Sequence, residues 1–144
     1  MKKPAVGETD KVRAPVRYRT GRLSLSEARP LLMASGLSMS EAETDICRAL
    51  RERKIRFRHA LERVTFRGHT VDPELFRRMT FKDRNRFRLC VPTDLAPGDM
   101  DWENSRALRP WQLGEGYFAH IARIELSRTD LEKVFSPVEA RGLQ

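Results

Sequence analysis

The sequence predicts a small single domain of the α+β class, in which a helix-turn-helix-like pair of helices precedes short antiparallel strands and short helices. The chain has 144 residues, the usual length of one domain with its own core. Apolar residues follow a helical spacing in its first third and alternate one by one after Lys54. These patterns predict a single domain at residues 22–135, after a mobile basic arm at 1–21 and before a flexible tail at 136–144.

The first two elements are predicted as helices joined by a tight turn. Ser24 and Glu27 have the spacing of a capping box, and Gly36 supplies the backbone freedom with which a helix commonly ends. The second helix has two possible starts, because Ser38 and Ser40 are each followed three residues later by Glu. Its apolar stripe consists of Met39, Ala42, Ile46, Ala49 and Leu50.

The residues after the second helix are predicted as a pair of strands. In the first strand, Ile55, Phe57 and His59 are expected on one face, with the basic residues Arg56 and Arg58 on the other. A second short run, at 64–66, leads to a turn at Gly68. Arg63 and Arg67 are therefore expected across the hairpin from the arginines of the first strand.

Shorter elements are predicted in the rest of the chain. Asp72 and Pro73 have the pattern of a helix start, and that short helix is expected to extend to Met79. Residues 86–91 alternate as a strand, with Phe87, Leu89 and Val91 on one face. A long irregular loop (92–116) is expected next, with one helical turn near 102–108.

The last strand and the last helix are predicted from one continuous stretch. The residues expected to share one face of the strand are Phe118, His120, Ala122, Ile124 and Leu126. Ser127 and Asp130 then have the spacing of a helix cap.

The positive charge is concentrated in the middle of the chain. The net charge is +8, and residues 48–88 contain 14 basic and 5 acidic residues, a surplus of nine. Residues 89–144 contain 6 basic and 9 acidic residues. Such a cluster is typical of proteins that bind nucleic acid, although a solvated basic face is the alternative interpretation.

Four short segments are similar to those of a known class. They are Leu25-Ser26-Glu27-Ala28, Gly36-Leu37-Ser38, Lys54-Ile55-Arg56-Phe57-Arg58 and Arg67-Gly68-His69-Thr70-Val71-Asp72-Pro73. Through them, residues 23–79 resemble the winged helix-turn-helix of excisionase and MerR-type DNA-binding modules. The resemblance implies binding to duplex DNA, with the second helix in the major groove and the hairpin on the flanking backbone. It also implies a role as an accessory transcriptional or phage-type regulator.

The acidic start of the second helix makes base reading by this helix unfavourable. Phosphate contacts by the hairpin are therefore favoured over base contacts. Glu41, Glu43 and Asp45 lie where a recognition helix meets the DNA, and their charge repels phosphate. The predicted phosphate contacts are Arg48, Arg51, Arg53, Lys54, Arg56, Arg58, Arg63 and Arg67.

Two other functions are consistent with the sequence. A protein-interaction module with no nucleic-acid role would use the acidic 94–103 loop, with Trp102 and Trp111 as partner anchors; the alternative is that both rings fix the loop to the core. A phosphodiesterase would use His59 or His69, but no catalytic motif surrounds either residue. We therefore predict no catalytic residue.

No cofactor and no metal site are predicted. Cys47 and Cys90 lack the spacing of zinc ligands and do not form a disulfide framework, which favours a reducing compartment. No apolar run is long enough to span a membrane, and a cytoplasmic location is expected.

Overall fold

The computed structural model describes residues 21–78 and 86–135. The predicted arm and tail lie outside this part of the chain, apart from Gly21. The helices are α1 (Leu25–Met33), α2 (Met39–Arg51), α3 (Glu74–Arg77) and α4 (Arg128–Val134), with a 3₁₀ helix at Pro97–Asp99. The strands are β1 (Arg22–Ser24), β2 (Phe57–Phe66), β3 (His69–Val71), β4 (Met100–Asp101), β5 (Arg106–Ala107), β6 (Trp111–Gln112) and β7 (Tyr117–Ser127).

The strands form an antiparallel sheet on one side of a single core. The order is β1-β7-β2-β3, with β6 also paired to β7, while β4 and β5 form a separate two-stranded sheet. Inward-facing residues of the large sheet, such as Val64 and Ile121, share one core with α1, α2 and α4. The predicted α+β class is confirmed.

The first two helices lie where the sequence predicts them. Ser24 and Glu27 form a capping box at the start of α1. Of the two possible starts of α2, the structure uses Ser38, which forms a capping box with Glu41. The apolar stripe of α2 is buried except at Met39, whose exposed fraction is 48% because it occupies the first turn of the helix.

The predicted strand pair within residues 55–66 is wrong. Residues 57–66 form the single strand β2, which lies between β7 and β3, and the hairpin partner is β3 after the turn at Gly68. One β-bulge bends β2 at Glu62, where Leu61 and Arg63 pair with the consecutive residues Ile121 and His120, so the alternation of β2 is interrupted there. Arg63 therefore lies on the same strand as Arg58 and not across the hairpin from it.

A β-bulge at Arg123 reverses the faces of the residues in the first half of β7. Arg123 has a positive φ of 51°, and the register with β2 shifts beside it. Before this bulge, Ala119 and Ile121 are buried; after it, Ile124 and Leu126 are buried. The predicted common face is therefore wrong for Phe118, His120 and Ala122, which point away from the core.

The segment 86–116 is more ordered than predicted and contains different elements. Residues 86–91 form no strand, although Phe87, Leu89 and Val91 do pack together against the core. The helical turn expected near 102–108 is wrong: a turn and strand β5 occupy these residues, and a 3₁₀ helix lies earlier, at Pro97–Asp99. Buried Ser105 fixes the segment, because its hydroxyl accepts a hydrogen bond from the Leu25 amide (3.0 Å) and donates one to the Ile124 carbonyl (2.5 Å).

The short helix after β3 begins one residue later than predicted, with Pro73 and not Asp72 at the N-cap position. The Asp72 carboxylate accepts a hydrogen bond from the Glu74 amide (3.0 Å), and α3 extends from Glu74 to Arg77. The predicted end of this helix, Met79, lies outside the described residues. The last helix, α4, begins after Ser127, whose hydroxyl accepts a hydrogen bond from the Asp130 amide (3.2 Å), as its sequence predicts.

Candidate nucleic-acid interface

No described element packs against the outward face of the large sheet. Residues that pair across antiparallel strands lie on the same face, and neighbours along a strand lie on opposite faces. Leu23, Val64 and Leu126 face the core, so the pairs next to them face outward. This outward-facing set, here called the outer face, consists of Arg22, Ser24, Arg58, Ala60, Arg63, Thr65, Thr70, Gln112, Phe118, His120, Ala122, Glu125 and Ser127. Apart from Ser127, which is buried where α4 begins, none of its members is buried. The described part of the chain thus leaves this face open to solvent.

The centre of the outer face combines an aromatic ring with basic side chains. Phe118 has an exposed fraction of 43% and lies across from Thr65. The neighbouring pair along the strands is Arg63 and His120. Arg58 lies further along β2, across from Glu125, and forms no ion pair with it within 4 Å. The face therefore offers two unpaired guanidinium groups, with Arg63 next to the exposed ring and Arg58 nearer the start of β2.

Four of the eight predicted phosphate-binding residues already have partners in the protein. Arg48 forms an ion pair with Asp45, and Lys54 lies 3.2 Å from Glu52. The Arg51 guanidinium donates a hydrogen bond to the Leu95 carbonyl (2.6 Å) and so holds the segment after Pro92. These contacts make the three residues less available to a ligand than the sequence implied.

Arg56 is the fourth, and it is bound to the last helix. Its backbone amide and its Nε donate to one carboxylate oxygen of Asp130 (2.8 and 2.9 Å), and its Nη2 donates to the other (3.1 Å). These hydrogen bonds raise the pKa of Arg56 and lower the pKa of Asp130 to about 2. Arg56 therefore connects the start of β2 to α4.

The other four, Arg53, Arg58, Arg63 and Arg67, have no acidic partner among the described residues. Arg58 and Arg63 lie on the outer face. Arg53 follows α2 on the inward side of the sheet. Arg67 lies in the β2–β3 turn with a positive φ of 50°, and its guanidinium lies 5.1 Å from the centre of the Phe66 ring. The predicted cluster is thus divided between two sides of the sheet.

The two tryptophans do not present their rings to a partner. Trp102 is 7% exposed, and its indole nitrogen donates to the Pro97 carbonyl (3.0 Å). Trp111 is 1% exposed and meets the Phe57 ring edge-on, with centroids 6.0 Å apart. Both rings fix the 92–116 segment to the core, as the alternative interpretation expects; a role as partner anchors stays a prediction.

The groups considered for other chemistry are also separated or buried. His59 and His69 lie near opposite ends of β2, since His69 pairs with Phe66. Burial raises the pKa of the Cys47 thiol to about 12, and Cys90 is exposed. Within residues 21–78 and 86–135, no group of three or more His, Cys, Asp or Glu residues could hold a metal ion. In the same ranges no helix is both long and apolar enough to cross a membrane.

Three exposed residues were missed by the sequence interpretation. Strand alternation predicts that Phe118 faces inward. This prediction is wrong because the bulge at Arg123, which has no recognisable sequence pattern, reverses the face. Arg88 was predicted to lie in a strand, but it borders a groove together with Arg53. Arg123 was hidden in an apolar run. The basic surplus of residues 48–88 was the only signal that pointed to Arg88.

Comparison with protein-family models, with curated proteins and with solved structures finds no match to this chain. The resemblance of residues 23–79 to winged helix-turn-helix modules stays a prediction.

Proposed function

We propose that this protein binds nucleic acid, mainly through phosphate contacts made by the outer face of the sheet. The observation that supports the proposal is the open position of Arg58 and Arg63, which have no acidic partner and lie on one strand, with Arg63 next to exposed Phe118. A guanidinium without a carboxylate partner retains its full charge for a ligand, and arginine suits phosphate geometry well.

The surroundings of the outer face favour a polyanion over a single small anion. Arg67 lies at the end of β2, and Arg22 and Arg123 lie on the neighbouring strands; none of the three has an acidic partner in the described chain. Glu62 and Glu125 are the acidic residues of β2 and β7, so positive charge is in excess on these strands. Contacts spread over several strands match the repeated phosphates of a nucleic-acid backbone.

Duplex DNA is the partner class that the winged helix-turn-helix resemblance implies, with an accessory role in transcription or in phage regulation. Exposed Phe118 adds a second mode of contact, because an aromatic ring on an open sheet can stack on an unpaired base. Both forms of nucleic acid therefore belong in the test.

The test is a titration of labelled random-sequence duplex and single strand, followed by fluorescence anisotropy between about 50 and about 200 mM salt. We expect log affinity to fall linearly with log salt. The double variant R58Q/R63Q should bind more weakly and lower the slope by about two on the duplex. F118A should weaken binding to the single strand more than to the duplex.

The matched control is R106Q/R128Q, which removes the same charge from two arginines that lie 3.4 Å from Asp101 and 3.0 Å from Glu132. We expect this control to change the slope less than R58Q/R63Q does. Absence of binding at about 50 mM salt would contradict the proposal. Equal losses in the two double variants would show that binding follows net charge and does not involve the outer face.

A further inference from the structure

A groove lies on the inward side of the sheet, at the point where α2 ends and β2 begins. Its volume is about 570 Å³, within the range of pockets that hold small ligands. Apolar side chains line it from three segments of the chain: Leu50, Ile55, Phe57, Leu89 and Val91. Phe57 pairs with buried Leu126, which places the groove on the opposite side of the sheet from Arg58 and the outer face.

The polar residues in the described lining of this groove are all basic. Arg53, Arg56 and Arg88 line it, and none of its described lining residues is acidic. Arg56 is held by Asp130, which fixes its position. Arg53 and Arg88 have no ion-pair partner in the described chain. An apolar surface bordered by two unpaired guanidinium groups matches a ligand with one anionic end and one flat or apolar body.

The backbone at Arg53 gives an independent reason to assign a role to its side chain. The Lys54 amide donates to the Ala49 carbonyl (2.9 Å) and the Arg53 amide to the Leu50 carbonyl (3.2 Å), the two hydrogen bonds of a Schellman motif. Arg53 has a φ of +59° at the position that glycine usually occupies in this motif. The chain thus has an arginine where glycine would be less strained, and such strain is common at functional sites.

We propose that the groove binds a nucleoside monophosphate group. The phosphate lies between Arg53 and Arg88, and the base lies against the apolar surface formed by Phe57 and Leu89. Such a group has two sources, a free nucleotide or the 5′-phosphorylated end of a strand. The proposal does not depend on nucleic-acid binding by the outer face, because the two surfaces share none of their lining residues.

The first test is calorimetric titration of the full chain with AMP, with adenosine and with inorganic phosphate. We expect AMP to bind more tightly than either fragment, because only AMP occupies both the basic and the apolar parts of the groove. Arg88→Gln should weaken AMP binding about tenfold, the usual size of one lost charge-assisted hydrogen bond. The matched control Arg106→Gln should leave AMP binding unchanged. Equal binding of AMP and adenosine, or no binding of AMP at millimolar concentration, would overturn the proposal.

The variant Arg53→Gly separates ligand binding from a purely structural role. Glycine relieves the positive φ, so the thermal midpoint should rise, while AMP binding should weaken about tenfold through the loss of the guanidinium. Opposite changes in the two measurements support the assignment. A more stable variant with unchanged AMP affinity would overturn the role of Arg53, and a less stable variant would overturn the argument from backbone strain.

The two sources are separated in the R58Q/R63Q background, where contributions from the outer face are reduced. A short single strand with a 5′-phosphate is compared with the same strand ending in a 5′-hydroxyl. Tighter binding of the phosphorylated strand, lost with Arg88→Gln, identifies a strand end as the ligand. Equal binding of the two strands together with tight AMP binding identifies a free nucleotide. If neither AMP nor the 5′-phosphate contributes, the groove proposal is wrong even where the outer face still binds nucleic acid.

Discussion

The arginines of β2 and those of the C-terminal part of the domain are used differently. Along β2 and its turn, Arg58, Arg63 and Arg67 have no acidic partner in the described chain. In the C-terminal part, Arg109 lies 2.7 Å from Asp94 and Arg128 lies 3.0 Å from Glu132, whereas Arg123 on β7 has no acidic partner in the described chain. Both regions are exposed and rich in arginine, so exposure and residue type do not account for the difference.

The difference follows the local supply of carboxylates. Residues 48–88 have a surplus of nine positive charges, whereas residues 89–144 have a surplus of three negative charges. Exposed ion pairs contribute little to stability, but each one cancels the field of its guanidinium. The comparison teaches that regional charge balance, more than total charge, indicates where arginines remain available to a ligand; Arg56, paired with Asp130, and Arg123, which is unpaired, are among the exceptions.

The largest effect on stability is expected at Arg29, the most enclosed of the paired arginines. Its guanidinium donates to Glu43 (2.6 Å) and to Glu103 (2.7 Å) and lies 5.9 Å from the Trp102 ring centre. The side chains of Arg29 and Glu43 are only 12% and 17% exposed. Arg29→Met should lower the free energy of unfolding by about 2 kcal/mol in urea titrations, because Glu43 loses its partner.

Arg58→Met is the matched change on an unpaired arginine. It should alter the free energy of unfolding by less than about 0.5 kcal/mol, since no described contact is lost. Equal destabilisation by the two substitutions would remove the distinction between paired and unpaired arginines on which the comparison depends.

Local patterns in the sequence were sufficient to predict the helices but not the faces of the strands. The capping boxes at Ser24 and Ser38 depend on residues three positions apart, and both are present in the structure. The orientation of Phe118 instead depends on a bulge at Arg123, a residue that carries no glycine-like signal for its positive φ. Strand alternation is reliable only until the first bulge, and both long strands contain one.

The basic site was predicted as a region, but its individual residues could not be assigned. The sequence located the surplus charge at residues 48–88. The partners of Arg51 and Arg56, however, are the Leu95 carbonyl and Asp130, which are distant in the sequence. Arg88 reaches the groove only because residues 86–91 pack against the core without forming a strand. Long-range contacts of this kind leave no local pattern.

The ion pair between Arg56 and Asp130 is expected to contribute less to stability. Its contribution is measured as a decrease of the thermal midpoint when the pH is lowered. Hydrogen bonds from Arg56 lower the pKa of Asp130 from 3.8 in the unfolded reference to about 2. The carboxylate therefore stabilises the fold above pH 4, and this contribution is lost as the pH falls through 2. The thermal midpoint of the wild type should decrease over this interval more than that of Asp130→Asn, which already lacks the charge at neutral pH. Parallel curves for the two proteins would show that Arg56 belongs with the unpaired arginines.

The smallest effect among the substitutions expected to change stability is at Arg67, where one measurement can overturn the comparison. Arg67 and Gly68 have φ values of 50° and 84°, the signs of a type I′ turn, for which Asn-Gly is the preferred sequence. Arg67→Asn should therefore raise the free energy of unfolding by about 0.5 kcal/mol, because asparagine adopts the left-handed conformation at less cost. The measurement is urea denaturation at high salt, with Arg67→Val as the control, which should destabilise the turn because a β-branched residue disfavours a positive φ. If Arg67→Asn is instead less stable than the wild type, the contact of Arg67 with the Phe66 ring supports the turn, and Arg67 belongs with the structural arginines.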